Sequence, residues 1–295
     1  MVSKRSVVLC ADDFGLTDGV SRGILELAEK GRVSATGAMT NMPGWRRNAP
    51  GLRALKGRIA IGLHLTLTAG SPLGPMPGVT EGAFPPLNEI LRRVLARQLP
   101  ADAIRREIAR QLDAFAEVHG AAPDFIDGHQ HVHVLPVVRR ALLAELKERG
   151  HAGHLWLRDP SDSLAAIGRR RTGRGKALVV KALAAGFRRN ARAAGFDANE
   201  GFSGFAPYDL TVPPSRIFAD ALAGLGRRPV VMCHPGHADA ELRGLDPAVE
   251  SREAELTYLG SEHFAALLEE QGVRLVPSPT SAAQPHLSPP GRGGC

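Results

Sequence analysis

Residues 127–133, Asp-Gly-His-Gln-His-Val-His, put four side chains able to bind a metal or move a proton into seven positions. The residues before them, 123–126, Pro-Asp-Phe-Ile, read as a short apolar strand. The residues after them, 136–149, Pro-Val-Val-Arg-Arg-Ala-Leu-Leu-Ala-Glu-Leu-Lys-Glu-Arg, read as a helix with proline in its first turn and Gly150 as its stop. The cluster sits where a strand runs out and a helix begins, the place where α/β architectures build their sites. In an extended chain Asp127, His129, His131 and His133 would all face one side. Same-face neighbours would then be about 6.6 Å apart, so one ion would rarely take all four. A lone histidine here would be read as a hydrogen-bonded core residue. Three with an aspartate point instead to metal or proton-transfer chemistry.

The same pattern of an apolar strand delivering polar groups recurs along the chain. Residues 6–11, Ser-Val-Val-Leu-Cys-Ala, form a buried parallel-type strand that runs into Asp12-Asp13-Phe14-Gly15. Asp18 or Thr17 already caps the next helix, 19–30, which leaves the acid pair without a capping role. If the chain stays extended, Asp12 and Asp13 face opposite sides and take different tasks. Residues 33–41 and 58–68 read as further strands, the second carrying His64 with Gly62 leaving room beside it. Residues 69–86, rich in Gly and Pro, read as an excursion or lid-like loop. Amphipathic helices are expected over 87–98 and 101–119. Residues 155–158 form a short strand ending on Arg158, and 229–234 an apolar strand delivering His234. A helix over 261–271 and a strand over 273–276 follow. About seven strands, mostly separated by helices, predict a distorted, mostly parallel (β/α) barrel. Residues 1–276 are expected to form one barrel domain and 277–295 a disordered tail. Strand C-termini would bring Asp12, Asp13, His129, Arg158 and His234 to one face, with His64 near the same end.

The chain has 295 residues, 43% of them hydrophobic, enough for a sizeable core. Its net charge is +7, with much of the excess in residues 169–176, Arg-Arg-Arg-Thr-Gly-Arg-Gly-Lys, and at Arg188, Arg189 and Arg192. No aromatic residue interleaves with the 169–176 run, so it reads as a solvated loop dispensable for chemistry, and no nucleic-acid partner is expected. Three widely spaced cysteines make no disulfide framework, and Cys10 and Cys233 read as buried thiols. No apolar run approaches a membrane span or a signal-peptide core. The expectation is a cytoplasmic protein with no integral membrane segment, and a homodimer is compatible with the sequence.

An acid with two imidazoles is a ligand set for Zn²⁺ or another divalent metal. Asp12, beside a ligand, could take a proton from water, and His234 could give one to a leaving group. That combination describes amide or ester hydrolysis. Ala-Asp-Asp-Phe-Gly (11–15), Gly-Leu-His-Leu-Thr-Leu (62–67), Asp-Gly-His-Gln-His-Val-His (127–133) and Cys-His-Pro-Gly (233–236) resemble the YdjC-like carbohydrate deacetylases, a family that includes chitooligosaccharide deacetylases and deacetylases of hopanoid biosynthesis. The resemblance spans roughly residues 5–276. It implies a polysaccharide-deacetylase-like barrel, one divalent ion (Mg²⁺ or Zn²⁺) and removal of acetate from an N-acetylated sugar. It also implies Asp13, His64 and His129 as ligands, Asp12 as base and His234 as acid. His131, His133 and Arg158 would bind substrate or support the ligands, and His131 could replace His129. Two alternatives stand: an amidohydrolase-type enzyme using a His129/His131 pair, and a non-catalytic sugar- or metal-binding barrel. In amidohydrolases the His-x-His usually closes the first strand, which here closes on two acids.

Overall fold

The computed structural model describes residues 4–279 apart from Asp209. The tail expected from 277 therefore falls, from 280 onward, outside the described residues. Among the described residues there are nine strands: β1 (Arg5–Phe14), β2 (Ala35–Ala38), β3 (Ala60–Leu65), β4 (Phe125–Gly128), β5 (Trp156–Leu157), β6 (Asp197–Ala198), β7 (Phe202–Ser203), β8 (Val230–Cys233) and β9 (Val273–Leu275). Eight of them pair in the order β6-β5-β4-β3-β2-β1-β8-β7, and β9 pairs with the start of β1. Every ladder is parallel, so the connections cross over and helices cover the outer face. The curled sheet stays open between β6 and β7, which is the distorted barrel expected. The count exceeds seven because β6 and β7 have two residues each, too few to show a period.

Both faces of the sheet are dry, which is why β1 is apolar without alternation. Val7, Leu9 and Ala11 pack in the layer between sheet and helices. Val8 and Cys10 point into the concave side with Ala35, Phe125, Trp156, Val230 and Met232. The rings of Phe125 and Trp156 stack there at 4.5 Å. Cys10 and Cys233 are buried free thiols, as expected.

The strongly periodic helices form where the sequence places them. Thr17 caps Asp18–Glu29 by accepting from the Val20 N–H, and Gly120, at φ 79°, ends Ala101–His119. Helices Pro214–Leu222, Ala240–Leu245 and Val249–Leu259 stand where no element was expected from the sequence, although the first buries Ile217, Phe218, Ala221 and Leu222 at helical spacing. In the last of these, two of the inward residues are Arg252 and Glu255, so no apolar stripe marks the buried face. The 69–86 excursion is pinned rather than free. Asn41 Nδ2 donates to Ala69 O and Ser71 O, and the Leu73 N–H donates to the buried Glu107 carboxylate at 3.1 Å. No helix among the described residues is long and apolar enough to cross a membrane.

The 169–176 run is not the solvated loop expected. It joins helix Leu164–Arg169 to helix Arg174–Leu183. Arg170 is buried, donates to Phe202 O at 2.8 Å and pairs with Asp162. Helix packing on both sides pulls one guanidinium of the run inward, where a carboxylate must meet it. Arg169 and Arg171 stay exposed. Urea unfolding should therefore separate the three. Arg170→Ser should cost about 3–5 kcal/mol, the usual effect of breaking a buried pair. Arg169→Ser and Arg171→Ser should stay within about 0.5 kcal/mol of wild type. Equal effects at all three positions would contradict this packing.

Candidate active site

The site begins at a break in β1. Its register against β2 shifts between Ala11 and Phe14, and Asp13 has φ 70°. A left-handed aspartate costs backbone energy and turns the side chain out of the strand's alternation. Asp12 and Asp13 therefore do not face opposite sides of an extended chain. Both reach the C-terminal mouth of the sheet, and each meets its own buried arginine. Arg158 donates from Nη1 to Asp12 Oδ2 at 2.7 Å and from Nη2 to Asp12 Oδ1 at 2.6 Å. Arg252 donates from Nη2 to Asp13 Oδ2 at 2.6 Å and also pairs with Asp246.

Asp13 Oδ1 is the meeting point. His64 Nε2 lies 3.2 Å from it and His129 Nδ1 2.9 Å. The three donor atoms all lie within 4.8 Å of one another. The other nitrogen of His64, Nδ1, is 2.6 Å from Asp127 Oδ1. A proton on Nδ1 satisfies that contact and leaves Nε2 with a lone pair for a cation. Gly37, not Gly62, makes the room. A Cβ at Gly37 would sit 3.1 Å from His64 Nδ1, whereas one at Gly62 would strike the Phe125 ring at 2.6 Å.

The other two histidines of the cluster go elsewhere. After Gly128 the chain leaves the strand for a short 3-10 segment, His129–Val134, with Gln130 at φ 51° and His131 at φ 60°. The one-sided alternation expected for an extended chain is lost in that turn. His131 stands edge-on to Phe202 and Phe205, 5.6 and 5.7 Å away, and is not in the Asp13–His64–His129 group. His133 is fully buried and donates from Nε2 to the Arg158 carbonyl at 2.7 Å. Burial pushes its pKa down to about 4, against the opposing carbonyl and Asp127. It is a neutral strap on Arg158 and touches no open surface. Arg158 likewise meets carboxylates rather than solvent: its Nη2 is also 2.5 Å from Asp127 Oδ2.

These charges decide what the site accepts. Asp12, Asp13 and Asp127 are three buried carboxylates against two buried guanidiniums, Arg158 and Arg252. Burial raises the Asp12 pKa, but the Arg158 charge and hydrogen bonds outweigh it and hold the carboxyl well below its usual range. Asp13 is treated the same way by Arg252 and His129. His64 has a carboxylate against each nitrogen, and although burial disfavours its cation, Asp127 and then Asp13 and Asp12 push it up to about 10. The carboxylates thus favour positive charge at the point where a metal cation would also bring it. One carboxylate oxygen and two imidazole nitrogens are donors of the kind Zn²⁺ takes in open, catalytic sites, so the residues fit a divalent ion.

His234 closes the other side. Its Nε2 is 4.0 Å from Asp12 Oδ2, and its ring stands edge-on to Tyr208 at 5.8 Å. Burial lowers its pKa, partly offset by Asp13 and Asp12. Its backbone N–H donates to Glu255 Oε2 at 2.7 Å.

A family model described as YdjC-like protein matches residues 6–270. The chain belongs to that YdjC-like family. A chitooligosaccharide deacetylase of Enterobacter sp. (strain 638) is 38% identical over 135 residues, 45% of this chain and 52% of that protein. Against such relatives the YdjC-like chain spans about half of their length. The protein of the same name from Klebsiella pneumoniae (strain 342) is 30% identical over 274 residues, 92% of this chain and 97% of that one. The fold is shared with a crystal structure from Enterococcus faecalis V583, provisionally named as a cellobiose-phosphate cleavage protein: TM-score 0.71, 24% identity, 96% and 100% of the two chains covered.

Arg252, Glu255 and Tyr208 were not singled out as site residues from the sequence, and Asp127 was read as a member of the 127–133 cluster without a role of its own. The spacing Arg252, Glu255, Leu256 and Leu259 sets two charges on the apolar side of a helix, and that was the available signal. Two tests follow. Asp127→Asn should weaken Zn²⁺ affinity about 10–100-fold in a chelator competition, because it loosens the His64 ring; unchanged affinity would contradict the assigned support. Glu255 tests the burial. Burial lifts its carboxyl to about 7 from a usual value of 4.5, against the His234 N–H and Arg252. A raised folded-state pKa gives stability that is full below about pH 4.5 and lost as pH rises through 7. Between those pH values wild type should lose on the order of 3 kcal/mol relative to Glu255→Gln. A pH-independent difference would contradict it.

Proposed function

We propose that this cleft removes the acetyl group from an N-acetylated sugar by metal-dependent hydrolysis. The observation that carries the reading is the convergence of Asp13, His64 and His129 on one point, with Asp12 and His234 beside it. The names of the relatives support the substrate class, and four motifs in order support carrying it to this chain. Asp13 Oδ1, His64 Nε2 and His129 Nδ1 would hold the ion. Two nitrogens and one oxygen suit Zn²⁺ better than Mg²⁺, which prefers oxygen and octahedral geometry. When bound, such an ion polarises a carbonyl and lowers the pKa of water to about 7.

The rest of the chemistry belongs to the chain. Arg158 keeps Asp12 ionised, so its carboxylate is always an acceptor, and keeps it pointed at the cleft through two hydrogen bonds. The pairing also makes Asp12 a weak base, so it takes a proton only from an acidified water. His234 hands a proton to the departing amine nitrogen from the opposite side. His131 with Phe202 and Phe205 forms an apolar wall that keeps bulk water from the reacting carbonyl. Free, buried Cys10 and Cys233 support a reducing compartment, and hence the cytoplasm.

The variants separate these roles. Asp12→Asn should keep its metal, since an amide oxygen still accepts from Arg158, yet lose about 10²–10⁴-fold in acetate release. His234→Ala should lose a similar factor on an amide and less on an ester, whose alkoxide needs the proton less. Asp13→Asn should lose metal, with added metal restoring part of the rate. Acetate release from N-acetylated oligosaccharides and metal content are measured together for all three. Near wild-type turnover in both Asp12→Asn and His234→Ala would overturn the proposal.

A further inference from the structure

Residues 163–196 contain nine of the chain's 37 basic residues and none of its 30 acids. The remainder holds 28 basic against 30 acidic residues, so this segment carries the entire positive excess. It folds as helices Leu164–Arg169, Arg174–Leu183 and Phe187–Ala193 outside the sheet. Among the described residues Arg169, Arg171 and Arg174 have no ion pair, unlike Arg170, Arg188 and Arg192. The segment is also apolar where it meets solvent. Leu164, Leu178 and Val179 are 64%, 47% and 60% exposed. At about 100° per residue, Leu178, Val179 and Ala182 share one outward arc, with Arg174 and Lys176 at its two edges. Ala177, on the opposite side, is the buried residue of that helix. An apolar stripe bordered by cations and turned away from the core is the pattern of a helix lying in a lipid interface.

The stripe borders the cleft. Lys176 Nζ donates to Ala206 O at 3.1 Å and lies 4.2 Å over the Tyr208 ring. Tyr208 stands edge-on to His234 and, with Leu210, is itself exposed. Of the eight exposed large hydrophobic residues among those described, five (Leu164, Leu178, Val179, Tyr208 and Leu210) fall on this lobe and the loop it holds.

We propose that the 163–196 lobe docks the protein onto an anionic lipid surface, with Leu178 and Val179 entering the interface and Arg169, Arg171 and Arg174 meeting the headgroups. The cleft mouth then faces the membrane, so substrates presented at that surface reach it without leaving it. Charge complementarity selects a negative surface, and the exposed leucine and valine select lipid over a soluble polyanion. The proposal concerns a surface and stands or falls apart from deacetylation.

The test is co-sedimentation of the full chain with vesicles of phosphatidylcholine alone or with 30% phosphatidylglycerol by design, roughly the anionic share that makes a surface attractive to cations. Wild type should bind the anionic vesicles, bind phosphatidylcholine at least about tenfold more weakly, and release as salt rises. The double variant Arg169→Ser/Arg171→Ser should bind about 20- to 30-fold more weakly, from about five-fold per cation. Leu178→Ser/Val179→Ser should lose about tenfold or more. Both pairs are exposed and leave turnover on a soluble acetylated sugar unchanged. Absence of binding to anionic vesicles, or equal binding by the Leu178/Val179 variant, would overturn the proposal. So would binding to single-stranded RNA as tight as to vesicles and insensitive to Leu178 and Val179, since that would make the lobe a polyanion patch.

Discussion

Arg158 has no contact with solvent, and its charge is balanced by Asp12 on one side and Asp127 on the other. Placing a guanidinium there costs several kcal/mol of hydration, which only close carboxylates can offset. The arrangement leaves little freedom. Asp127 must reach Arg158 with one oxygen and His64 with the other, which aligns β3, β4 and β5. Asp12 must turn inward to Arg158 while Asp13 turns to Arg252, and that forces the break in β1. Removing Arg158 would leave the buried Asp12 carboxylate without its guanidinium partner. Arg158 meets Asp12 and Asp127 and Arg252 meets Asp13 and Asp246, so two guanidiniums face four carboxylates and the network is short of positive charge around the point where His64, His129 and Asp13 meet. A cation at that point completes the balance, which is why the site's electrostatics and its chemistry are the same question.

Of the five described non-glycine residues with left-handed backbone, three sit at the same place, Arg97 and Leu210 being the others. Asp13, Gln130 and His131 are non-glycine residues in the left-handed region, each costing roughly 1–3 kcal/mol. The strained positions bring the Asp13 carboxylate and the His129 ring to one point from strands that lie three apart in the sheet. The ladders and the layer of helices behind them hold these conformations in place. Strain of this kind persists only where the surrounding structure fixes it more strongly than the chain resists.

Much of this was legible in the sequence, and the part that was not has physical causes. Apolar runs ending in Asp12-Asp13, His64, Asp127-Gly128-His129 and His234 gave the parallel strands and the face on which they end. The chain's period could not show that β1 breaks at Asp13 or that His131 and His133 turn away after Gly128, because alternation is lost once the backbone becomes left-handed. Arg158 was visible as a strand-end cation, but its partners lie 146 and 31 positions away, and only the fold brings them together. Arg252 and Glu255 stayed hidden because their helix buries charge and so lacks an apolar stripe. The basic run misled in the opposite direction: its composition read as a solvated loop, while tertiary packing buried Arg170 and left its neighbours to line an exposed apolar helix.

The central claim is that Asp13, His64 and His129 together hold one divalent ion. Anomalous diffraction from crystals soaked in Zn²⁺, collected at the zinc edge, tests it directly. The account predicts one strong peak about 2.0–2.2 Å from Asp13 Oδ1, His64 Nε2 and His129 Nδ1. A peak bound instead by His129 and His131, or no peak among these three residues at saturating zinc, would contradict it.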